Sequence, residues 1–206
     1  MIIALYSPLP GMGKTTVAKA LHDQLNFYRM GFADTLRYML SYLLEDLYPQ
    51  ADADPHSSPF FAAEKETQLD GLQCGATPRR LLRTLGTDWG RDCIDPDIWV
   101  KTMAARLDWQ KTIHLHERNI VIDDMRFPNE YDMLAARGAK LVHISRPGVT
   151  RQDLHASDGM LDDAPTGPRR HWDEEVTNFE GESDCLTSRI VARAAQWIAE
   201  AAAATE

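Results

Sequence analysis

The chain has 206 residues, with 22 Lys plus Arg against 31 Asp plus Glu, a formal net charge of −9 and a pI near 5.2. This length suits one α/β domain with a sizeable core, and the acidic balance argues against stable binding to a nucleic-acid polymer, whose affinity comes mostly from basic contacts to phosphates. Cys74, Cys93 and Cys185 form no CxxC pair, no apolar run approaches the roughly 20 residues that span a bilayer, and the N-terminus lacks a basic lead-in; a disulfide framework, a membrane span and a signal peptide are all disfavoured, and a cytoplasmic protein is expected.

Ile2 to Tyr6 reads as a short buried strand bounded by turn residues. "SPLPGMGKTT" follows at residues 7 to 16, and Thr15 to Leu25 reads as a helix, with Val17, Leu21 and Leu25 on one face. A second helix is expected over 34 to 47, with Asp34 as its cap. Residues 48 to 75 read as irregular, with a short helix near 61 to 69. In "TPRRLLRTLGTDWGR" (77 to 91), Thr77 then Pro78 is a helix start. At 100° per residue, Leu81, Leu82, Leu85 and Trp89 share one face, opposite Arg80, Arg83, Thr87 and Arg91. Asp95-Pro96 opens another helix, with Trp99, Met103 and Leu107 inward. "RNIVIDDMRF" (118 to 127) reads as a strand ending in acid, "NEYDMLAARG" (129 to 138) as a helix stopped by Gly138, and "AKLVHISRPG" (139 to 148) as another strand. The Pro-bearing stretch 147 to 172 reads as a lid segment, and an Ala-rich helix is expected from Thr187. Alternating strands and helices predict a parallel sheet covered on both faces.

The loop carries the clearest chemistry. Gly11 and Gly13 allow positive φ and close approach of backbone N–H groups to phosphate oxygens. Lys14 can reach the β- and γ-phosphates, Thr15 can place a hydroxyl on Mg²⁺, and the following helix presents its positive dipole end. Pro8 stands where the usual pattern opens with Gly; it has no N–H and a fixed φ, which predicts an altered entry to an intact cradle. Asp123 and Asp124 end a strand expected beside this loop, where one carboxylate would hold the Mg²⁺ water shell or orient the attacking group. Phosphoryl transfer between two nucleotides requires several cations, for which Arg37, Arg80, Arg83, Arg91, Arg126, Arg146 and Arg151 are candidates, although an Arg stripe opposite a Leu face is by itself more often a solvated surface. Within the stripe, Arg91 beside Gly86 and Gly90 is the strongest candidate, since a ligand could approach closely there. Asp153, His155, Ser157 and Asp158 in "DLHASD" read mainly as polar loop, His114 and His116 show no metal spacing, and Trp89 and Trp99 read as core.

Taken together, "GMGKTT", "FADTLR", "LLRTLGTDWGRDCIDPDIWV", "VIDDMRFPNE", "HISRPG" and "DLHASD" resemble the phage-type deoxynucleoside monophosphate kinases, within the adenylate-kinase-like group of P-loop kinases. The resemblance spans most of residues 1 to 178. It implies one three-layer P-loop kinase domain over 1 to 206, with a parallel sheet, helices on both faces, an acceptor-binding helical region at about 34 to 110 and a lid at about 147 to 172. It implies transfer of the ATP γ-phosphate to a deoxynucleoside 5′-monophosphate with Mg²⁺, in the host cytoplasm if phage-encoded.

Residue by residue, the resemblance puts Gly11, Gly13, Lys14, Thr15 and Thr16 on ATP phosphates. It favours Asp124 over Asp123 as the functional acid, two residues before Arg126, with Thr15 and Asp124 serving Mg²⁺. Asp34, Arg37, Arg83, Arg91 and Trp99 fall to the acceptor nucleotide, and Arg146 and Arg151 to the transferring group, alongside Lys14 and Arg126. The departures are Pro8, Asp158 in place of Glu, and a 160 to 171 segment without counterpart. The partners implied are small-molecule nucleotides, and the Ala-rich tail suggests a homodimer. The alternatives are a dephospho-coenzyme-A kinase-like enzyme, a kinase of a modified base in DNA, and a non-enzymatic nucleotide-gated binding module.

Overall fold

The structure, a computed structural model, describes residues 1–49, 51, 58–61, 64–73, 75–113, 118–148, 159–162, 170–179 and 181–204. They form two compact units, one from Met1–Gly31 with Asp108–Glu206, the other from Phe32–Leu107. No helix among the described residues is long and apolar enough to cross a membrane.

The first unit is an α/β layer structure. Strands β1 (Ile2–Tyr6), β2 (Tyr28–Met30), β3 (Ile120–Ile122), β4 (Lys140–Ser145) and β5 (Glu174–Thr177) make one sheet in the order β2-β3-β1-β4-β5. Every pairing in it is parallel. This is the α/β P-loop kinase arrangement expected from the sequence. Side chains alternate across a strand. Ile3, Leu5, Val121, Val142, Ile144 and Val176 therefore share one core with Val17, Ala18 and Leu21 of α1 (Lys14–Leu25) and with Leu186, Ile190, Ala194 and Trp197 of α6 (Ser183–Ala203). The Ala-rich tail is thus the end of a helix whose apolar stripe is spent on its own sheet. On the opposite face, Tyr6 stacks on His143, its partner in register, and on Trp172, which meets Tyr131 of α5 (Pro128–Ala136) edge-on. β2 and β5, only 3 and 4 residues long, are elements that the sequence patterns did not predict.

In the second unit, α2 (Asp34–Leu44) packs Leu40 and Leu44 with Ala51, Phe60, Phe61 and Leu69. Two Phe rings of that cluster meet edge to face at 5.0 Å. The expected short helix near 61 to 69 is instead a single 3₁₀ turn at Pro59–Phe61. Thr77 caps α3 (Pro78–Arg83) by accepting from the Arg80 N–H at 3.2 Å, with Pro78 in the first turn as expected.

The expected single α-helix over 77 to 91 does not continue. From Thr84 to Ile94 the chain winds as a π-helix, ending where the Asp95 N–H bonds the Gly90 carbonyl at 3.0 Å. The wider winding moves the apolar face off the 100° stripe: Gly86 and Gly90 are buried, while Trp89 is 43% exposed rather than core. Trp99, Met103 and Leu107 of α4 (Ile98–Ile113) are buried as expected.

The two glycines are explained by packing, not by an approaching ligand. The Trp99 indole N–H donates to the Gly86 carbonyl at 2.7 Å, and a Cβ on Gly90 would lie 2.3 Å from the Trp99 ring. A Cβ on Gly86 would lie 3.1 Å from Leu36. The "GTDWG…DPDIW" block is therefore one interlocked piece. Gly90→Ala should overpack it and destabilise the protein by about 1 to 3 kcal/mol. Urea denaturation checks this, and an unchanged midpoint would contradict the interlock.

Candidate functional site

In a parallel sheet, ligands bind beyond the carboxyl ends of the strands, where neighbouring strands connect in opposite directions. Here that point is the end of β1, flanked by β3 on one side and β4 on the other. Residues 7 to 13 leave β1 there and turn into α1. Gly11 has φ +81 and Gly13, the N-cap, φ +108. A Cβ on Gly13 would lie 2.9 Å from Leu186 and 3.0 Å from Asn178, so conformation and space both demand glycine. Lys14 starts the helix and its ammonium donates to the Ser7 hydroxyl, which in turn donates to the Leu9 carbonyl at 2.8 Å. Thr15 and Thr16 are exposed in the first turn of α1. Orphan N–H groups and the positive end of a 12-residue helix face whatever binds there. Pro8 leaves this geometry intact.

The same edge carries the acids. Register sets Ile122 beside Ala4, so Asp123 and Asp124 emerge next to the start of the loop. Asp123 is bridged by Arg29 of β2 at 3.3 Å. Asp124, Arg126 and Arg146 are half-buried, and Arg146 follows β4 directly on the other side of β1.

The rest of the "DMRFPNE" block is a helix start. The buried Glu130 carboxylate accepts from the Arg126 N–H at 2.7 Å and the Phe127 N–H at 3.1 Å, and Pro128 opens α5. Among the described residues no group of three His, Cys, Asp or Glu could hold a metal. A Thr hydroxyl and one or two carboxylates are nevertheless the donors from which Mg²⁺ is held jointly with substrate phosphates.

In the second unit Asp34 is not a helix cap. Ala33 holds that position, and Asp34 is 1% exposed, with Arg37 at 3.2 Å and Arg106 at 2.9 Å. One buried carboxylate thus pairs with two guanidinium groups. Arg91, half-buried, donates to the Pro96 carbonyl at 3.2 Å, while the Asp97 N–H and Lys101 both bond Asp95. Those bonds, the Lys101 one first, hold the Asp95 carboxyl below its ordinary range. Arg83 is exposed. Trp99, expected to serve the acceptor as well as the core, lies inside, 4% exposed.

Gly11, Gly13, Lys14, Thr15, Thr16, Asp124, Arg126 and Arg146 all fall in the first unit, and Asp34, Arg37, Arg83, Arg91 and Trp99 in the second. Arg151, the "DLHASD" residues Asp153, His155, Ser157 and Asp158, and His114 and His116 lie outside the described residues. Sequence reasoning missed Arg106, Asn178 and the cap role of Glu130. Of these, only Glu130 carried a local signal, a Glu three residues beyond a helix entry.

Residues 61–166 match the family model described as deoxynucleotide monophosphate kinase. A protein of Acanthamoeba polyphaga mimivirus assigned as a deoxynucleotide monophosphate kinase is 34% identical over 158 residues, covering 73% of this chain and 77% of its own. The chain belongs to the deoxynucleotide monophosphate kinase family. It is thus an enzyme of the phosphotransferase class. The deoxynucleotide monophosphate kinase of Enterobacteria phage T4 is 31% identical over 140 residues, covering 68% of this chain and 54% of the phage enzyme. That of Escherichia phage RB69 is 31% identical over 112 residues, covering 54% of this chain and 42% of its own. Against both phage enzymes the match spans about half of the relative's length. The family-model match begins after the phosphate loop, so in this kinase the loop stands on its own geometry.

Removing the carboxylate that anchors Arg37 and Arg106 leaves uncompensated charge in a partly buried place. Asp34→Ala should cost on the order of 3 kcal/mol of unfolding free energy. The Asp34→Ala/Arg106→Ala double variant should cost less than the sum of the two single changes. Denaturant titration of the four proteins checks this; simple additivity would contradict the pairing.

Proposed function

We propose that this kinase transfers the γ-phosphate of ATP to a deoxynucleoside 5′-monophosphate, giving ADP and the deoxynucleoside diphosphate. The observation that carries the proposal is the Ser7–Gly13 loop, with left-handed Gly11 and Gly13 at the switch point of the sheet, in a chain whose relatives are named for this acceptor class. An acceptor phosphate oxygen attacks the γ-phosphorus, the bond to the β–γ bridging oxygen breaks, and ADP departs with that electron pair. Little covalent chemistry is left to the protein, so its contribution is positioning and charge.

On the donor side, loop N–H groups and the start of α1 hold phosphate oxygens, and Lys14 moves from the Ser7 hydroxyl to the β- and γ-phosphates. Thr15 and Asp124 would hold Mg²⁺, directly or through water, and the ion would supply neutralisation of the phosphate charge. On the acceptor side, Arg37 and Arg91, with Arg83 at the exposed rim, meet the monophosphate. Asp34 acts through the arginines it orients, and Trp99 through the interlock that precedes Arg91. One cation about 4 Å from a phosphate charge contributes on the order of 4 kcal/mol at an effective dielectric near 20, before desolvation. A dianionic acceptor facing a triphosphate therefore calls for several cations. Arg126, Arg146 and Arg151 complete the set around the transferring group.

A coupled ATP-consumption assay tests the proposal against each deoxynucleoside and ribonucleoside monophosphate, with dephospho-coenzyme A as control. Turnover on at least one deoxynucleoside monophosphate is expected, and none on any monophosphate would contradict it. Arg91→Ala should raise the KM for the monophosphate by on the order of tenfold or more, the loss of one charged hydrogen bond, while ATP KM stays within about twofold. Equal loss of both would remove Arg91 from the acceptor side.

A further inference from the structure

The phosphate loop is held from outside at both ends. At its exit, the buried Asn178 side-chain amide donates to the Met12 carbonyl at 3.0 Å, and the Asn178 main chain is tied to Ser145 at the end of β4 at 2.8 Å. At its entry, the Gly159 N–H donates to the Pro8 carbonyl at 3.0 Å. Gly159 opens the turn Gly159–Asp162, closed by the Asp162 N–H on the Gly159 carbonyl at 3.0 Å.

That turn is fastened to the strand preceding the loop. The Tyr6 hydroxyl donates to the Asp162 carboxylate at 2.9 Å and accepts from the Leu161 N–H at 3.3 Å, and Leu161 is 1% exposed. The Tyr6 ring packs on both His143 and Trp172, with ring centroids 5.5 and 5.4 Å away, and those two rings meet each other at 5.2 Å. Burial first, then the bond to Asp162 and its charge, push the phenol above its ordinary value, so it remains a donor throughout the neutral range.

These contacts bear on the cradle through the planarity of the peptide bond. In a trans peptide, the carbonyl of one residue and the N–H of the next point in opposite directions. Anchoring the Pro8 carbonyl outward therefore aims the Leu9 N–H the other way, and anchoring the Met12 carbonyl does the same for the Gly13 N–H. Pro8 has no N–H of its own, so its carbonyl is the one backbone hydrogen-bonding group that this residue offers.

We propose that Asn178 and the Tyr6–Asp162 pair are positioning residues for the donor phosphates, setting the peptide planes at the two ends of the loop. The inference rests on the loop being the ATP site. The Gly159–Asp162 turn then acquires a role: it braces Pro8, which stands where the usual pattern opens with Gly.

The test compares wild type, Tyr6→Phe, Asn178→Ala and Asp162→Asn by calorimetric Kd for a non-hydrolysable ATP analogue, KM for ATP and for the monophosphate, and Tm. Tyr6→Phe keeps the ring stack and loses only the hydroxyl; Asp162→Asn keeps an acceptor for it. Tyr6→Phe and Asn178→Ala should each weaken ATP binding about three- to tenfold, the worth of one hydrogen bond, with monophosphate KM unchanged. Asp162→Asn should stay within about twofold of wild type. Should Asn178→Ala fail to fold, Tyr6→Phe decides alone. Wild type that fails to bind the ATP analogue would sink the donor assignment itself. Wild-type binding with unaltered affinity in Tyr6→Phe, or equal losses for ATP and monophosphate that follow Tm, would overturn the positioning role.

Discussion

Everything in the first unit turns on the reversal at Gly13, where a central strand becomes a helix within one short loop. Its φ of +108 excludes a side chain on conformational grounds, and Leu186 and Asn178 exclude one on spatial grounds. The reversal points the first turn of α1 back past the end of β1. Because β3 and β4 flank β1, the acid pair and Arg146 emerge on the same edge. The hydrophobic core beneath, with Val17, Leu21, Leu186 and Ile190 around Ile3 and Leu5, holds that geometry rigid. Charge chemistry is thus placed by apolar packing.

The second unit holds its cations with both carboxylates and main-chain carbonyls. Asp34 is shared by two arginines and cannot neutralise both. Arg91 donates to a main-chain carbonyl, which orients its guanidinium. The π-helical segment that contains Arg91, locked by Trp99 over Gly90, fixes where its side chain leaves the backbone. Residues that look like binding motifs in this block are therefore of two kinds: those that carry charge outward, and those that lock the piece together.

Long, periodic elements were legible from the sequence. β1, α1 and the buried stripe of Trp99, Met103 and Leu107 follow from local patterns alone, as do the glycines of the loop and the Thr77 cap. β2 and β5 were not: β2 is Tyr-Arg-Met and β5 opens with two Glu, so neither shows the continuous apolar run that marks β3, and tertiary pairing makes them strands. The π-helical winding was hidden because it depends on the indole of Trp99 reaching Gly86, 13 positions away. The supporting site residues were hidden for the same reason on a larger scale. Arg106 meets Asp34 across 72 positions, Asp162 meets Tyr6 across 156, and Asn178 meets Met12 across 166. A sequence motif exposes the groups that touch ligand; the groups that aim them are set by the fold.

The central claim is that the loop and the arginines together serve transfer to a nucleotide, and not storage or simple hydrolysis of ATP. The most direct measurement follows label from [γ-³²P]ATP in the presence of deoxynucleoside monophosphates, with products separated by chromatography. Label appearing on the β-phosphate of a deoxynucleoside diphosphate, and lost in Lys14→Ala, is the predicted result. Label that stays on ATP, or that appears only as inorganic phosphate, would contradict the account.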